Sequence, residues 1–429
     1  TQNSLGATWA AMHPDTRLAQ RWDYFVRDAD RPLMQPRSAA TLTVLDPACG
    51  SGHFLLAAQA DLWDMYEEEG AFVGDPVGRA RAILEHNLYG LDIDERAVQI
   101  AEAALWMAAA EKLIEHEIDL HERDADGHLP LSGVQMNLVA TNIRLPGQGE
   151  QLEAFLNKHP DAAPLRKALS EVFRGLAHVD ELGSLVKIEN LLRELLQELQ
   201  TKGIQIETKD LGKITNESYD EWSNRLIQVL KTHFAAEAID ADLSRRFYGQ
   251  AAGKALQAFD LLSRRYDVVV ANPPYMGSKN MGDVLRPYVE AHYSPGKRDL
   301  YAAFMLRCRT LCAEGGRFAL VVPQPWMFSS SYEQMRYLTA DKLDEKAKKS
   351  GADLFPGLLK LASIETLAQL GRHAFEEADP PSNVALSVFT RQEPTDEHRL
   401  TAFRLHTPRP STEQAALLRS SVHNPSSAF

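Results

Sequence analysis

Two short stretches, far apart in the chain, restrict its fold more than anything else in it: TLTVLDPACGSG, from Thr41 to Gly52, and YDVVVANPPY, from Tyr266 to Tyr275. Each is an apolar, β-branched run that stops abruptly in polar or conformationally restricted residues. That is the pattern of a buried parallel strand whose carboxyl end opens into a ligand crevice. The two are read here as walls of one site in a mostly parallel α/β sheet.

The chemistry of the second wall lies in Asn272, Pro273, Pro274 and Tyr275. Asn272 offers a side-chain carbonyl, and two successive prolines with fixed φ hold the main-chain carbonyl of Pro273 in place. Two rigid acceptors side by side suit a planar NH2 group. The lone pair of such an amine is delocalised into its ring or carbonyl, and acceptors that draw its hydrogens to one side push the nitrogen toward tetrahedral geometry. Tyr275 supplies a face on which a base can stack, a contact worth roughly 1–3 kcal/mol. The tetrapeptide fits an exocyclic amine of a nucleobase and equally the amide of a protein glutamine, so it names the acceptor group and not the polymer.

The first wall supplies the site of the second reactant. Asp46 closes the strand, and Gly50 and Gly52 let the backbone approach a ligand before a helix begins near His53. Leu55 stands where a dinucleotide fingerprint needs its third glycine, and no Gly-Lys-Ser/Thr follows, so NAD and ATP are disfavoured. LYGLDIDERAV, from Leu88 to Val98, reads as the next strand, with Asp92 placed for ribose hydroxyls and Asp94 as the cap of the following helix. Ala48 and Cys49 in the loop, and Ile93 beside Asp92, complete this set. VQMNLVATN, from Val134 to Asn142, reads as a third strand.

DPACGSG, an acidic strand end and then NPPY together resemble the amino-adenine DNA methyltransferases that use S-adenosylmethionine, in the order where the cofactor motif comes first. NPPYMGSKNM, RDLYAAFMLRC, GGRFALVVPQPWMFSSSYEQMR, IETLAQLGRHAF and NVALSVF resemble more narrowly the PglX-type enzymes of BREX phage-defence systems and, more distantly, type IIG restriction-modification enzymes. The similarity covers about residues 41 to 145 and 264 to 391. It implies a Rossmann-like S-adenosylmethionine-dependent methyltransferase fold whose last strand runs antiparallel between its neighbours. It further implies that Asp92 binds the cofactor ribose, that Asn142 meets the cofactor adenine, that Asn272 also faces the cofactor, and that Asn272, Pro273 and Tyr275 hold a flipped adenine of double-stranded DNA. The implied role is self-marking in phage defence. Other BREX proteins are possible partners. Neither a metal nor a covalent nucleophile is needed. The rivals are a protein glutamine methyltransferase, which the DPACGSG loop and the DLY segment disfavour, and a cofactor-binding scaffold of a defence complex.

Charge complicates DNA binding. The chain has 46 basic and 59 acidic residues, a formal net charge of −13, whereas a phosphate-gripping surface should be locally basic. Beside the catalytic strand, Lys279, Arg286, Lys297, Arg298, Arg307, Arg309 and Arg317 outnumber Asp283, Glu290, Asp299 and Glu314. That mild excess leaves sequence-specific reading to parts outside these residues, and the chain, which begins at Thr1, is expected to be a fragment. Cys49, Cys308 and Cys312 form neither a disulfide framework nor a paired C-x-x-C pattern, which fits a bacterial cytoplasm.

The expected organisation is an N-terminal helical segment over 1–40, whose Trp9, Trp22, Tyr24 and Phe25 cover a sheet edge; a cofactor-binding half over 41–149; a helical insertion over 150–265; a catalytic half over 266–391; and an extension over 392–429. The Ala-rich helix after the second strand is expected to bury Trp106 and Met107. Cys308 and Cys312 are expected on one buried helical face. The loop carrying Gly277 and Gly282 is expected to move freely.

Overall fold

The computed structural model describes residues 1–27, 31–142, 153, 157, 170, 179–187, 207–208, 212–213, 232, 243–337, 357–370, 383–405 and 411–423. Eight strands form one sheet: β1 (Val44–Asp46), β2 (Leu88–Asp92), β3 (Asn137–Ala140), β4 (Tyr266–Ala271), β5 (Cys312–Pro323), β6 (Ser363–Leu370), β7 (Val384–Thr390) and β8 (Thr401–Leu405). Their spatial order is β8-β6-β7-β5-β4-β1-β2-β3. The strands of the central pairs β1–β2, β1–β4 and β4–β5 run parallel, and β7 lies antiparallel to both β5 and β6. This is the mostly parallel α/β sheet with one reversed strand that the resemblance implied. The helices α1 (His53–Glu68), α2 (Glu95–Glu115), α3 (Leu243–Ser263) and α4 (Leu300–Leu311) fall where sequence periodicity places them.

The chain divides into two units, one of Thr1–Gly90, Ala97–Leu138 and Arg265–Phe429, the other of Leu91–Arg96 and Val139–Arg264. Most of the expected insertion lies outside the described residues, as does the charged stretch after Tyr337.

In the first unit the apolar residues of β1 and β4 are buried: Val44, Leu45, Val268, Val269 and Ala271 have no exposed surface. Apolar runs in such strands are what burial under both faces demands. The register is fixed at the amino end, where the Asp267 carboxylate accepts hydrogen bonds from the Thr43 amide (3.0 Å) and hydroxyl (2.9 Å), while the Asp267 amide donates to Thr43 Oγ1 (3.0 Å). Val44 then stands opposite Val268 and Leu45 opposite Val269. The N-terminal segment covers the far edge as expected, with Val26 packed against Ala368, Leu370, Phe403 and Leu405 and Trp9, Trp22 and Phe25 buried.

Two expectations need correction. Trp106 and Met107 are 41% and 59% exposed, because the buried positions of α2 are Val98, Ala101, Leu105, Ala109, Ala110 and Leu113 and the pair falls on the opposite face. Cys308 and Cys312 are both fully buried, but α4 ends at Leu311 and Cys312 begins β5, so they share a core and not a helix.

β6 carries a bulge. Ile364 pairs with Phe389 and Thr366 with Val388, which leaves Glu365 as the extra residue and re-aims its side chain. Glu365 meets Arg317 of β5 at 3.0 Å, with side-chain exposures of 19% and 4%, and Thr390 Oγ1 donates to the same carboxylate. Arg317 also donates to Thr8 Oγ1 at 3.1 Å, tying the N-terminal helix to the sheet. Burial pushes the Glu365 carboxyl up, but the Arg317 guanidinium and the hydrogen bonds from Arg317 and Thr390 outweigh it and hold the group below its ordinary range. Arg317→Ala leaves this carboxylate buried without its cation and is expected to cost about 3–5 kcal/mol in chemical denaturation. Because the folded carboxyl is the stronger acid, its contribution to stability is complete above the unfolded value of about 4.3 and fades as pH falls below it. In Glu365→Gln that part of the acid-dependent loss should vanish.

Candidate active site

In the first unit, Asp46 ends β1 and is buried at 1% exposure, with its Oδ1 accepting the Ala48 amide at 3.0 Å. This turn starts the DPACGSG loop. Gly50 and Gly52 take φ of +50° and +87°, the left-handed region that glycine alone enters without strain. A Cβ on Gly52 would lie 2.9 Å from Ala101 Cβ of α2, whereas one on Gly50 would meet nothing within 4 Å. Gly52 is thus a packing requirement and Gly50 an open stretch of backbone. Gly52 caps α1 without any side-chain hydrogen bond, so the first amides of a sixteen-residue helix are left to a ligand or solvent.

The sequence reading missed Gly90. A Cβ there would sit 3.1 Å from Leu138 Cγ, 3.1 Å from Leu55 Cδ1 and 3.2 Å from Cys49 Sγ, so it lets the loop and α1 settle onto the sheet. A glycine inside a strand run is a recognisable sign of such close approach. Cys49 is 5% exposed and fills that space as a small apolar side chain, as its position in the loop implied.

β4 delivers the second wall. Leu45, the residue before Asp46, pairs with Val269, three residues short of Asn272 on the neighbouring strand. Asn272 and Pro274 are exposed and Pro273 is buried. The Tyr275 hydroxyl lies 3.2 Å from Asn272 Oδ1 and 3.1 Å from the Val321 carbonyl at the end of β5, and donates into this pair of acceptors. Burial raises the Tyr275 phenol to about 12, so it stays a proton donor at neutral pH. Its ring is 41% exposed, while its edge meets Tyr301 at 6.3 Å and 84°. Tyr301 packs in turn on Tyr332 at 5.8 Å, and burial raises both of these phenols.

Asp299 is the second residue the sequence reading undervalued. It caps α4 through the Tyr301 amide (3.4 Å) and also accepts the Met276 amide (3.0 Å) directly after the tetrapeptide. Leu300 N donates to Met276 O, Ser278 N donates to Arg298 O, and Gly277 bridges to Asp299. The loop expected to move freely is therefore tied at its start. An acid before an apolar helix is a capping signal, but nothing in the sequence says that this cap also holds the Asn-Pro-Pro-Tyr turn. Burial raises the Asp299 carboxyl above its ordinary range.

In the second unit, Asp92 ends β2 and its Oδ1 accepts the Asp94 amide at 2.9 Å, while its main-chain carbonyl accepts Thr141 N at 2.7 Å. Asp94 Oδ1 accepts the Arg96 amide at 2.9 Å, the capping role expected of it. Ile93 is 56% exposed. Glu95 pairs with Lys254 of α3 at 2.8 Å. The Lys254 hydrogen bond and charge, with a smaller share from the Asn142 side chain, hold its carboxyl below the usual range. A separate cavity of about 650 Å³, lined by residues that include Trp9, His13, Arg17 and Glu68, shares no residue with either half of this arrangement.

This strand order, with its glycine loop after β1 and an Asn-Pro-Pro-Tyr exit from β4, defines a domain of the α/β class that binds ligands at the carboxyl ends of parallel strands. Over residues 86–354 the chain matches the Eco57I restriction-modification methylase family, and it belongs to that family. It is 31% identical over 346 residues to the adenine-specific methyltransferase BrxX of Escherichia coli O9:H4 (strain HS), covering 78% of this chain and 26% of that protein. With the adenine-specific methyltransferase PglX of Lacticaseibacillus casei (strain Zhang), identity is 30% over 359 residues, covering 78% of this chain and 25% of the relative. The chain thus spans about a quarter of the length of these curated relatives. Among solved structures, the type I restriction enzyme EcoKI M protein aligns over 88% of this chain and 49% of its own, at a TM-score of 0.36 and 13% identity.

Asp299→Ala should lower stability by roughly 1 kcal/mol through loss of the cap and speed amide exchange at Met276 and Ser278. Asp299→Asn, which keeps an acceptor oxygen, should restore most of that protection.

Proposed function

We propose that this chain is the methyltransferase portion of an adenine-specific DNA methyltransferase of the PglX type, which transfers a methyl group from S-adenosylmethionine to the N6 amine of a flipped adenine to mark self DNA in phage defence. The carrying observation is the parallel pairing of the two strands, Val44 with Val268 and Leu45 with Val269, from whose carboxyl ends the glycine loop and the Asn-Pro-Pro-Tyr turn both leave. The names of the two relatives, both adenine-specific, support a nucleobase amine over a protein glutamine.

The residues of the first wall fit the donor. The space beside Gly50, where a Cβ would sit, is empty, the start of α1 has no side-chain cap, and Asp46 sets the turn before them. Asp46, Ala48, Cys49, Gly50 and Gly52 would hold the amino-acid end, with Asp92 and Ile93 toward the adenosine, and Asn142 and Asn272 as further contacts. When bound, the cofactor supplies a methyl group made electrophilic by its sulfonium. The chain's own residues do the rest. Asn272 Oδ1 and the Pro273 carbonyl accept the amine's two hydrogens and draw them to one side, which frees the nitrogen lone pair. The exposed face of Tyr275 stacks on the base, and this recovers part of the few kcal/mol spent in unstacking it from the duplex.

Titration calorimetry tests the donor half: Asp92→Ala should weaken S-adenosylmethionine binding at least about tenfold, the loss of one charge-assisted contact, and wild-type affinity in that variant would remove Asp92 from the site. Asn272→Ala should retain cofactor affinity nearly intact while abolishing methyl transfer by the full-length enzyme; equal loss of both would mean that the site had collapsed.

DNA binding by these residues alone should be weak. With a formal net charge of −13 the chain contacts few phosphates, and the slope of affinity against salt counts the counterions released. Anisotropy titrations over a panel of duplexes at several salt concentrations should therefore show a shallow slope and little sequence preference. Tight selective binding would place the reading element within residues 1 to 429.

A further inference from the structure

We propose that the turn from Gly183 to Val186, inside the insertion, is part of the cofactor site, backing Ile93 so that its open face meets the adenosine end beside Asp92. This rests on the reading of Asp92 as a ribose ligand, and it gives a role to a stretch whose sequence carries no recognised motif.

All the residues involved belong to the second unit. Gly183 has φ of +53°, and a Cβ built there would lie 2.8 Å from Ile93 Cγ2 and 3.6 Å from Thr141 Oγ1. The backbone of the turn thus touches the residue that follows Asp92 and the residue whose amide (2.7 Å) and hydroxyl (3.2 Å) both donate to the Asp92 carbonyl. A side chain at position 183 would have to displace one of them. The turn is also firmly seated, because Leu182, Ser184, Leu185, Val186 and Lys187 are 6%, 3%, 2%, 2% and 7% exposed.

Ile93 differs. It meets Gly183 on one side and yet leaves 56% of its surface open. A seated turn against a half-open aliphatic side chain, next to a carboxylate at a strand end, offers an apolar contact and hydroxyl acceptors to one ligand. A nucleoside has that combination, with a flat apolar ring and a pair of ribose hydroxyls. Glycine at 183 lets the chain come close enough for both to be contacted together. The insertion is then a component of the cofactor site, whatever else it contacts.

Hydrogen exchange of the wild-type chain, with and without S-adenosylmethionine, tests this without any variant. Protection should appear over 182–187 together with 88–94. Protection at 88–94 alone would overturn the proposal and leave the cofactor reading standing, whereas protection at neither would remove both. Gly183→Ala should in addition weaken S-adenosylmethionine binding by about tenfold, as expected when a methyl group must enter a filled space beside a ligand. Gly127→Ala is the control, since Gly127 also has a left-handed φ (+84°) but nothing within 4 Å of its Cβ position. It carries the same backbone strain and should bind like wild type; equal losses in the two variants would also count against the proposal.

Discussion

The parallel pairing of β1 with β4 is the constraint on which the rest depends. It brings together two segments more than two hundred residues apart in the chain, and its register is set by a small clip at the amino ends, the reciprocal bonds between Asp267 and Thr43, reinforced by Arg37 on the same carboxylate at 2.5 Å. Because side chains alternate along a strand, a slip of one residue would exchange the two buried faces of β4 and misfit its valines against both layers. Slippage would also carry Asn272 out of level with the glycine loop. Folding stability and site geometry are therefore secured by one interaction at the end of the sheet away from the chemistry.

Around this pair, structure is spent on holding a short turn still. Two prolines restrict the backbone of the tetrapeptide, Asp299 holds its exit, the Val321 carbonyl receives the Tyr275 hydroxyl, and Tyr301 packs edge-on against the ring. The ties come from α4, β5 and the loop after β4, three elements with no common sequence signature. An acceptor site for an amine gains from such rigidity, because its acceptors need no rearrangement as the reaction proceeds.

How much of this could be read in advance follows the physics of each signal. The central strands, α1 and α2 were legible because burial on both faces imposes long apolar runs and because DPACGSG and NPPY mark strand ends, whereas the reversed strand came only from the family resemblance. The exposure of Trp106 and Met107 was not, since an Ala-rich helix has a weak polar face and nothing in its composition says which side meets the sheet. The cap at Asp299 was readable as a helix start, but its second bond to Met276 depends on tertiary placement. Gly183 was hidden further still, for its significance is a contact with Ile93, ninety residues earlier in the chain.

The bond between Tyr275 and Asn272 has a consequence for discrimination. The side-chain oxygen of Asn272 receives a hydrogen from Tyr275, so under the proposed function an incoming amine would exchange one hydrogen bond for another and gain little from that contact in itself. A group that presents a carbonyl in the same position, as thymine or guanine would, faces the lone pairs of Asn272 and Pro273 with nothing to donate. It must bury acceptor against acceptor, at a cost of about 1–3 kcal/mol for each polar group left unsatisfied. Selectivity at such a turn comes from what it rejects, and the tyrosine hydroxyl keeps the rejecting oxygen aimed before any base arrives.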